Sequence, residues 1–471
     1  MPGPGCLTSN HVTRTERTRR TAALLAVTSA VTAANVYLNQ PLLTVAARSL
    51  HTAPDLLGAV PTATQLGYAG GIALLVPAGD GRHRRRLILI LCAGSVLALA
   101  ACALAPTAAW LIAASFALGL LSPVPQLVAP LAVALSDGRR GRAVGTVQAG
   151  LLLGVLAART YSGALAQLCG WRGVYATSAV LTLLLTLVLT RALPATGPSA
   201  AVPAATARYR DTLASLPQLF ATHPQVRRVT LSGALVGVSF GAFWTALTFL
   251  LQQHYHYDSA TVGLFGIVAA AGALVSPGVG RLTDRLGGRG ATAALIAVVL
   301  VGWALLLPGD GRLGLLIAGV IVLDVGTWGN QVTCQTSLFA FDQAAHSRLN
   351  ALYFTLRFLG IAIGSLAGSL AWSHGGWPAV AAVGATAATA GLLIVLLPVR
   401  GSGSHVRPGD AASVAHGAVG TASGSDVLAS RSRSLSSPSV EVSASVTAAL
   451  TSTEVPSGAV RSSGCSTSRY A

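Results

Sequence analysis

The stretch Gly71-Ile72-Ala73-Leu74-Leu75-Val76-Pro77-Ala78-Gly79-Asp80-Gly81-Arg82-His83-Arg84-Arg85-Arg86-Leu87-Ile88-Leu89-Ile90-Leu91 sets the reading of the chain. Two apolar runs flank a tight basic loop, which is the pattern of two membrane helices joined on one side of a bilayer. A related stretch recurs as Ser276-Pro277-Gly278-Val279-Gly280-Arg281-Leu282-Thr283-Asp284-Arg285-Leu286-Gly287-Gly288-Arg289. Asp80 and Asp284 lie 204 positions apart, about half of the apolar part of the chain, so the sequence reads as an internal duplication.

Composition agrees with a membrane protein. Of the 471 residues, 52% are hydrophobic and 10% charged, against about 25% charged in soluble domains. A net charge of +17 would raise nucleic-acid binding, but the arginines gather at the ends of apolar spans, where they set topology. No nucleic-acid partner is expected. The six cysteines have neither metal-ligand nor disulfide spacing, and no metal or cofactor is expected.

Spans of about 18 to 28 apolar residues can each cross a core of about 30 Å. Six are expected in the first half: Thr21–Ala46, Leu56–Ala78, Leu87–Ala105, Ala108–Leu135, Arg142–Leu168 and Val174–Ala192. Six more follow: Val229–Leu251, Ala260–Val279, Gly290–Leu307, Leu313–Phe339, Leu349–Trp372 and Gly376–Val399. The domain reading is therefore an N-terminal tail 1–20, a six-helix bundle 21–192, a proline-containing linker 193–228, a second bundle 229–399 and a disordered tail 400–471. Arginines cluster near the N-terminus, at 82–86, 139–142, 191–228 and 281–289 and at Arg348, whereas the opposite flank carries Arg48, Arg172 and Arg312. That asymmetry places both termini, the linker and the two Asp-containing loops in the cytoplasm.

Two parallel six-helix repeats about an axis normal to the membrane form one transporter architecture, with the substrate site between the halves. The sequence resembles the major facilitator superfamily over Thr21 to Val399. The loop pattern Gly-x-Leu-x-Asp-Arg-x-Gly-Arg-Arg is matched by Gly280, Leu282, Asp284, Arg285, Gly287 and Arg289. The upstream copy keeps Asp80, Arg84 and Arg85 but carries Val76, Gly81 and His83 at other pattern positions. Asn35-Val36-Tyr37-Leu38-Asn39-Gln40-Pro41-Leu42-Leu43 and Ser347-Arg348-Leu349-Asn350-Ala351-Leu352-Tyr353 resemble a branch of bacterial drug and sugar exporters. The resemblance implies a monomeric secondary transporter of the inner or plasma membrane, with both signature loops gating the cytoplasmic side. It further implies proton-coupled efflux of a small organic molecule; an uptake carrier or uniporter on the same fold is the alternative, ahead of a membrane sensor or enzyme.

Charge in hydrocarbon is costly, about 2.5 kcal/mol upward, so intramembrane charges mark function. Asp324 is the acid deep within a span and the expected proton-coupling carboxylate. Arg357 is expected at similar depth on the next span, either paired with Asp324 or facing an anionic substrate, and Arg159 lies on the fifth span. Asp324, Trp328, Gln331 and Gln335 fall at i, i+4, i+7 and i+11, one polar stripe on a helix. Asn35, Tyr37, Asn39 and Gln40 on the first span, with Gln65, Gln126, Gln148, Phe240 and Trp244, complete a cavity of amides and aromatic walls. Gly145, Gly150 and Gly154, and Gly360, Gly364 and Gly368, are expected as small-residue packing faces. His254, His256 and Asp258 are too few for a metal site.

Overall fold

A computed structural model describes residues 5–80, 84–134, 140–193, 209–273, 276–341 and 346–398. The expected C-terminal tail from 400 onward and the proline-containing part of the linker, 194–208, lie outside the described residues.

The elements are helical throughout the described residues, with no strand. In chain order they are α1 (Gly5–Tyr37), α2 (Leu43–Ser49), α3 (Pro54–Leu57), α4 (Ala59–Leu75), α5 (Arg84–Ala103), α6 (Ala108–Leu121), α7 (Val124–Ala134) and α8 (Arg140–Ala192). There follow α9 (Tyr209–Thr222), α10 (Pro224–Phe249), α11 (Ser259–Ala273), α12 (Ser276–Leu306), α13 (Leu313–Phe341) and α14 (His346–Leu396). Among the described residues, eight helical stretches are long and apolar enough to cross a bilayer. The expected second and eighth spans are shorter, with 17 residues in α4 and 15 in α11.

Two of the helices are too long to be single crossings. At 1.5 Å per residue, the 53 residues of α8 would run roughly 80 Å. Instead α8 reverses at Gly170, whose φ of 69° lies in the left-handed region. The proof is the 2.9 Å contact between Tyr161 Oη and Thr177 Oγ1, sixteen residues apart on either side of the turn. In the same way α14 reverses at Gly376, φ 62°, as shown by one end of α10 facing both arms: Gly233 lies against Tyr353, and Ser232 O lies 3.6 Å from a Cβ built on Gly391. Gly287, φ 70°, makes the corresponding turn within α12. Elsewhere proline sets the breaks: Pro41 sits in the 3₁₀ turn that separates α1 from α2, and Pro123 separates α6 from α7. The first span is therefore interrupted at residues 38–42, where the sequence led us to expect one continuous helix. The linker is also more structured than expected, since α9 occupies Tyr209–Thr222 and α10 already starts at Pro224.

The duplication reappears as packing. A Cβ built on Gly150 or Gly154 of α8 would lie 2.3 and 2.1 Å from the carbonyl oxygens of Ala26 and Ala30 on α1. Built on Gly360 or Gly364 of α14, it would lie 2.1 and 2.0 Å from those of Ala234 and Val238 on α10. The partner residues are offset by 208 positions and the glycines by 210, so both halves lock the same pair of helices with the same device. Gly145 does not share in it, having nothing within 4 Å of a built Cβ.

Overpacking a tight core costs about 1–3 kcal/mol. Gly364→Val is therefore expected to lower the midpoint of thermal unfolding and the yield of purified protein, and Gly145→Ala to leave both unchanged. Fluorescence-detected size exclusion on heated samples reads both, and an equal response would refute the packing role.

Candidate functional site

The break between α1 and α2 turns Gln40 inward, where it is buried and its Oε1 accepts a 2.6 Å hydrogen bond from Arg159 Nε. Arg159, on the first arm of α8, is only 2% exposed. Its guanidinium carbon lies 3.6 Å from the ring centroid of Trp244 and 5.4 Å from that of Tyr37. Trp244, on α10, donates from Nε1 to Oδ1 of Asp324 at 3.4 Å, and Asp324 on α13 is 1% exposed. Gln40, Arg159, Trp244 and Asp324 thus form one line across the two halves. The cation covers the face of the indole, the carboxylate accepts from its edge, and a desolvated cation–π contact of this kind contributes about 2 kcal/mol.

The arginine beside the acid is thus Arg159, and of the two roles expected for Arg357 the pairing with Asp324 is not made among the described residues. Arg357 donates instead to the carbonyls of Gly233 at 3.3 Å and Thr327 at 3.4 Å, with Tyr353 Oη at 3.4 Å. It joins α14 to α10 and α13 within one half. Counting residues along a helix gives depth but not azimuth, and azimuth decided which arginine met the carboxylate.

Beside this line a small cavity of about 40 Å³ lies between the halves. Tyr37, Tyr68 and Gln126 line it from the first half, and Trp328, Gln331 and Arg357 from the second. The Tyr68 and Phe358 rings meet edge to face across the halves, with centroids 4.5 Å apart. Phe240 stands edge-on to Trp328 at 6.4 Å. Trp328 Nε1 and Thr327 Oγ1 are buried without a hydrogen-bond partner, which is costly unless a ligand or water completes them. Gln148, expected in the cavity, also lines it.

The remaining expected residues divide. Asn35 Nδ2 donates to Thr182 Oγ1 at 3.1 Å and Asn39 Nδ2 to Thr64 Oγ1 at 2.9 Å, both tying helices within the first half. Gln65 is buried with Oε1 unpartnered. Gln335 Nε2 donates to Asn350 Oδ1 at 3.2 Å, and Asn350 Nδ2 to Gln126 Oε1 at 3.5 Å, a link between halves.

At the end of the bundle near Tyr255 the halves meet through residues that sequence reading missed. Gln252, in the π turn Leu250–His254 that ends the α10 arm, donates to Pro41 O at 3.1 Å and to Ser259 Oγ at 3.3 Å, and accepts from Thr44 Oγ1. An amide at the edge of an apolar span was the available signal. Asp258 caps α11, accepting from Thr261 N at 2.7 Å, and accepts from Gln167 of the other half. The Thr261 side chain and backbone, followed by Gln167, hold the Asp258 carboxyl below its ordinary range. A depressed value means the contact persists above the ordinary carboxylate range and loosens only as pH falls through the lowered one.

At the opposite end, the arginines of the signature loops cap helices. Arg85 Nη2 donates to Thr190 O at 2.7 Å. Arg289 Nε donates to Val395 O at 2.8 Å, and its Nη2 to the carbonyls of Leu396 and Leu397. The two arginines are 204 positions apart, and each satisfies the carbonyls that end its own half. Arg84 also has an interaction partner, while Arg285 is exposed. The side chains of Asp80 and Asp284, and the surroundings of Gly280, lie outside the described residues.

A helical membrane bundle with a polar, aromatic cavity between two repeated halves is the build of a solute transporter. Comparison with known proteins agrees: the family model of the Major Facilitator Superfamily matches residues 25–365, and the chain belongs to that superfamily. It is 37% identical over 376 residues to the uncharacterized transporter YgaY of Escherichia coli O157:H7, covering 79% of this chain and 93% of that protein. It is 32% identical over 363 residues to the probable transporter SCO4007 of Streptomyces coelicolor, covering 76% and 83%. Among solved structures, the human organic anion transporter MFSD10 aligns with a TM-score of 0.60 at 16% identity over 80% of this chain and 99% of that one. The nucleoside transporter NupG aligns with a TM-score of 0.60 at 16% identity over 79% and 97%. At such identities the two structures establish the shared fold alone.

Arg159 and Trp244 are expected to be energetically coupled. In a cycle of Arg159→Gln, Trp244→Leu and the double variant, unfolding free energies should be non-additive by about 1–2 kcal/mol. Additive losses would mean that the ring and the guanidinium are merely adjacent.

Proposed function

We propose that the chain is a twelve-span secondary transporter that moves a small organic molecule by alternating access, coupled to protons through Asp324. The observation that carries this reading is the inter-half cavity with its unsatisfied Trp328 Nε1 and Thr327 Oγ1 beside aromatic walls and the Arg357 guanidinium. A substrate with an aromatic face and hydrogen-bond acceptors suits that lining. The N-terminal bundle would comprise residues 21–192 and the C-terminal bundle 229–399, in the inner or plasma membrane, with the termini and the capped signature loops cytoplasmic. The Tyr255 end then faces outward and is shut.

In this orientation the coupling follows from electrostatics. While Asp324 is ionised, its charge offsets the buried Arg159 across the indole of Trp244, and the outer end is stabilised in its closed form. A proton on Asp324 removes that compensation and leaves Arg159 as a buried cation with a neutral amide and two aromatic faces. Opening the outer end lets water reach it. Linkage is reciprocal, so closing that end favours release of the proton, on the side toward which the cavity then opens. Inward proton movement drives export of the substrate, the direction that the exporter-like motifs support.

Asp324→Asn is expected to reduce gradient-driven accumulation in proteoliposomes to background while preserving substrate counterflow at a comparable rate. Full gradient-driven transport by this variant would remove Asp324 from the coupling. Orientation has its own test: inside-out vesicles energised acid-inside should accumulate substrate, and accumulation only by right-side-out vesicles energised acid-outside would make the protein an importer.

A further inference from the structure

A second crevice, of about 90 Å³, lies at the capped end of the bundle, where Ser232 and Ser337 stand 12 and 13 residues along α10 and α13 from Trp244 and Asp324. Gln225 and Arg228 of α10, Arg289 and Thr292 of α12, and Ser337 of α13 line it. Two guanidiniums therefore share one crevice, and among the described residues its lining includes no carboxylate. Arg289 is partly committed, since Nε and Nη2 cap the carbonyls of Val395, Leu396 and Leu397. Arg228 has no hydrogen-bond or ion-pair partner among the described residues, although it is not fully exposed. Like charges brought together at the edge of a low-dielectric bundle repel unless an anion lies between them.

The local backbone adds to the demand. α10 starts at Pro224, and His223 at its N-cap makes no side-chain hydrogen bond to the first turn. Its leading N–H groups receive no hydrogen bond from the His223 side chain and carry the positive end of a 26-residue helix dipole. The hydroxyls of Thr292 and Ser337 already donate to Gly288 O and Thr333 O, at 2.8 Å each, so the free donors are those of Arg228, Arg289 Nη1 and the α10 N-terminus. That set matches a tetrahedral oxyanion.

We propose that this crevice binds a phosphate group, presented by an anionic lipid headgroup or by a soluble phosphate. Arg228 is its free arm, and Arg289 serves both the phosphate and the end of α14. The site is separate from the transport cavity, so its test stands or falls independently of the proposed function.

The full-length protein is reconstituted in nanodiscs of phosphatidylcholine alone, in nanodiscs containing phosphatidylglycerol, and in phosphatidylcholine nanodiscs with inorganic phosphate. The unmodified protein should unfold at a higher temperature in one of the latter two conditions. A rise with phosphatidylglycerol alone identifies a headgroup as the source, and a rise with inorganic phosphate identifies a soluble one. Arg228→Gln should weaken the responsible interaction about five- to tenfold, and Arg228→Lys should restore part of it. Native mass spectrometry of the unmodified protein gives a measurement independent of any variant, counting phosphatidylglycerol or phosphate retained over phosphatidylcholine. No retention and no thermal shift, or an equal shift in the unmodified protein and Arg228→Gln, would overturn the assignment.

Discussion

The cost of a buried cation organises this molecule. Arg159 is all but excluded from water, and removing a guanidinium from water costs several kcal/mol unless other groups replace hydration. Three kinds of group take the place of water around it. They are the Gln40 carbonyl, the π faces of Trp244 and Tyr37, and the charge of Asp324 relayed at the indole edge. They come from α10, α13 and the end of α1 with the break that follows it. Satisfying this one side chain therefore requires both halves of the bundle to be in register.

That register rests on backbone contact that only glycine permits. The α1/α8 and α10/α14 interfaces are closed by carbonyl oxygens about 2 Å from where a Cβ would stand, so each half is a stiff unit. Between the halves α8 and α11 use the same device, since a Cβ built on Gly163 or Gly263 would lie 2.2 and 2.6 Å from the carbonyl oxygens of Ser259 and Arg159. The other contacts between the halves are amide and hydroxyl hydrogen bonds at Gln252, Gln167, Asn350 and Thr160, a ring contact at Tyr68 and Phe358, and the stack on Trp244. Individually the hydrogen bonds and the ring contact contribute roughly 0.5–1.5 kcal/mol and the stack about 2 kcal/mol. Stiff halves that meet through one close glycine contact and a set of weaker polar and ring contacts can rock about a central cavity.

Much of this was legible before any coordinates. The spacing of Asp80 and Asp284 announced the duplication, because a loop must recur once per repeat. The glycine faces were legible because helical periodicity puts i and i+4 on one side, and the stripe from Asp324 to Gln335 because polar residues on a membrane helix must face inward. What escaped depended on rotation about helix axes and on local breaks. Arg357 and Arg159 look alike as basic residues in apolar spans, yet one is held by carbonyls within its own half and the other crosses between halves. Gln252 was hidden because a π turn lets the end of α10 bend inward where a regular helix would have reached solvent. The arginines of the signature loops looked like topology signals; their second use as helix caps needed the ends of α8 and α14 to be placed beside them.

The indole between Arg159 and Asp324 also bears on why the halves can part. A direct buried ion pair costs about 3–5 kcal/mol to break by loss of one partner, and such a bond would hold the bundle in one state. Here the positive charge rests on a π face, at about 2 kcal/mol, and the negative charge accepts a single 3.4 Å hydrogen bond from the ring edge. Trp244 can leave with α10 and still keep Asp324 as its partner, because both belong to the second half, while Arg159 stays with Gln40 and Tyr37 in the first. The seam then runs along the cation–π face, where separation breaks no ion pair and strands no hydrogen-bond donor of the indole. A link of that strength can be tipped by the loss of one charge, which suits a residue pair whose balance changes when a single proton arrives.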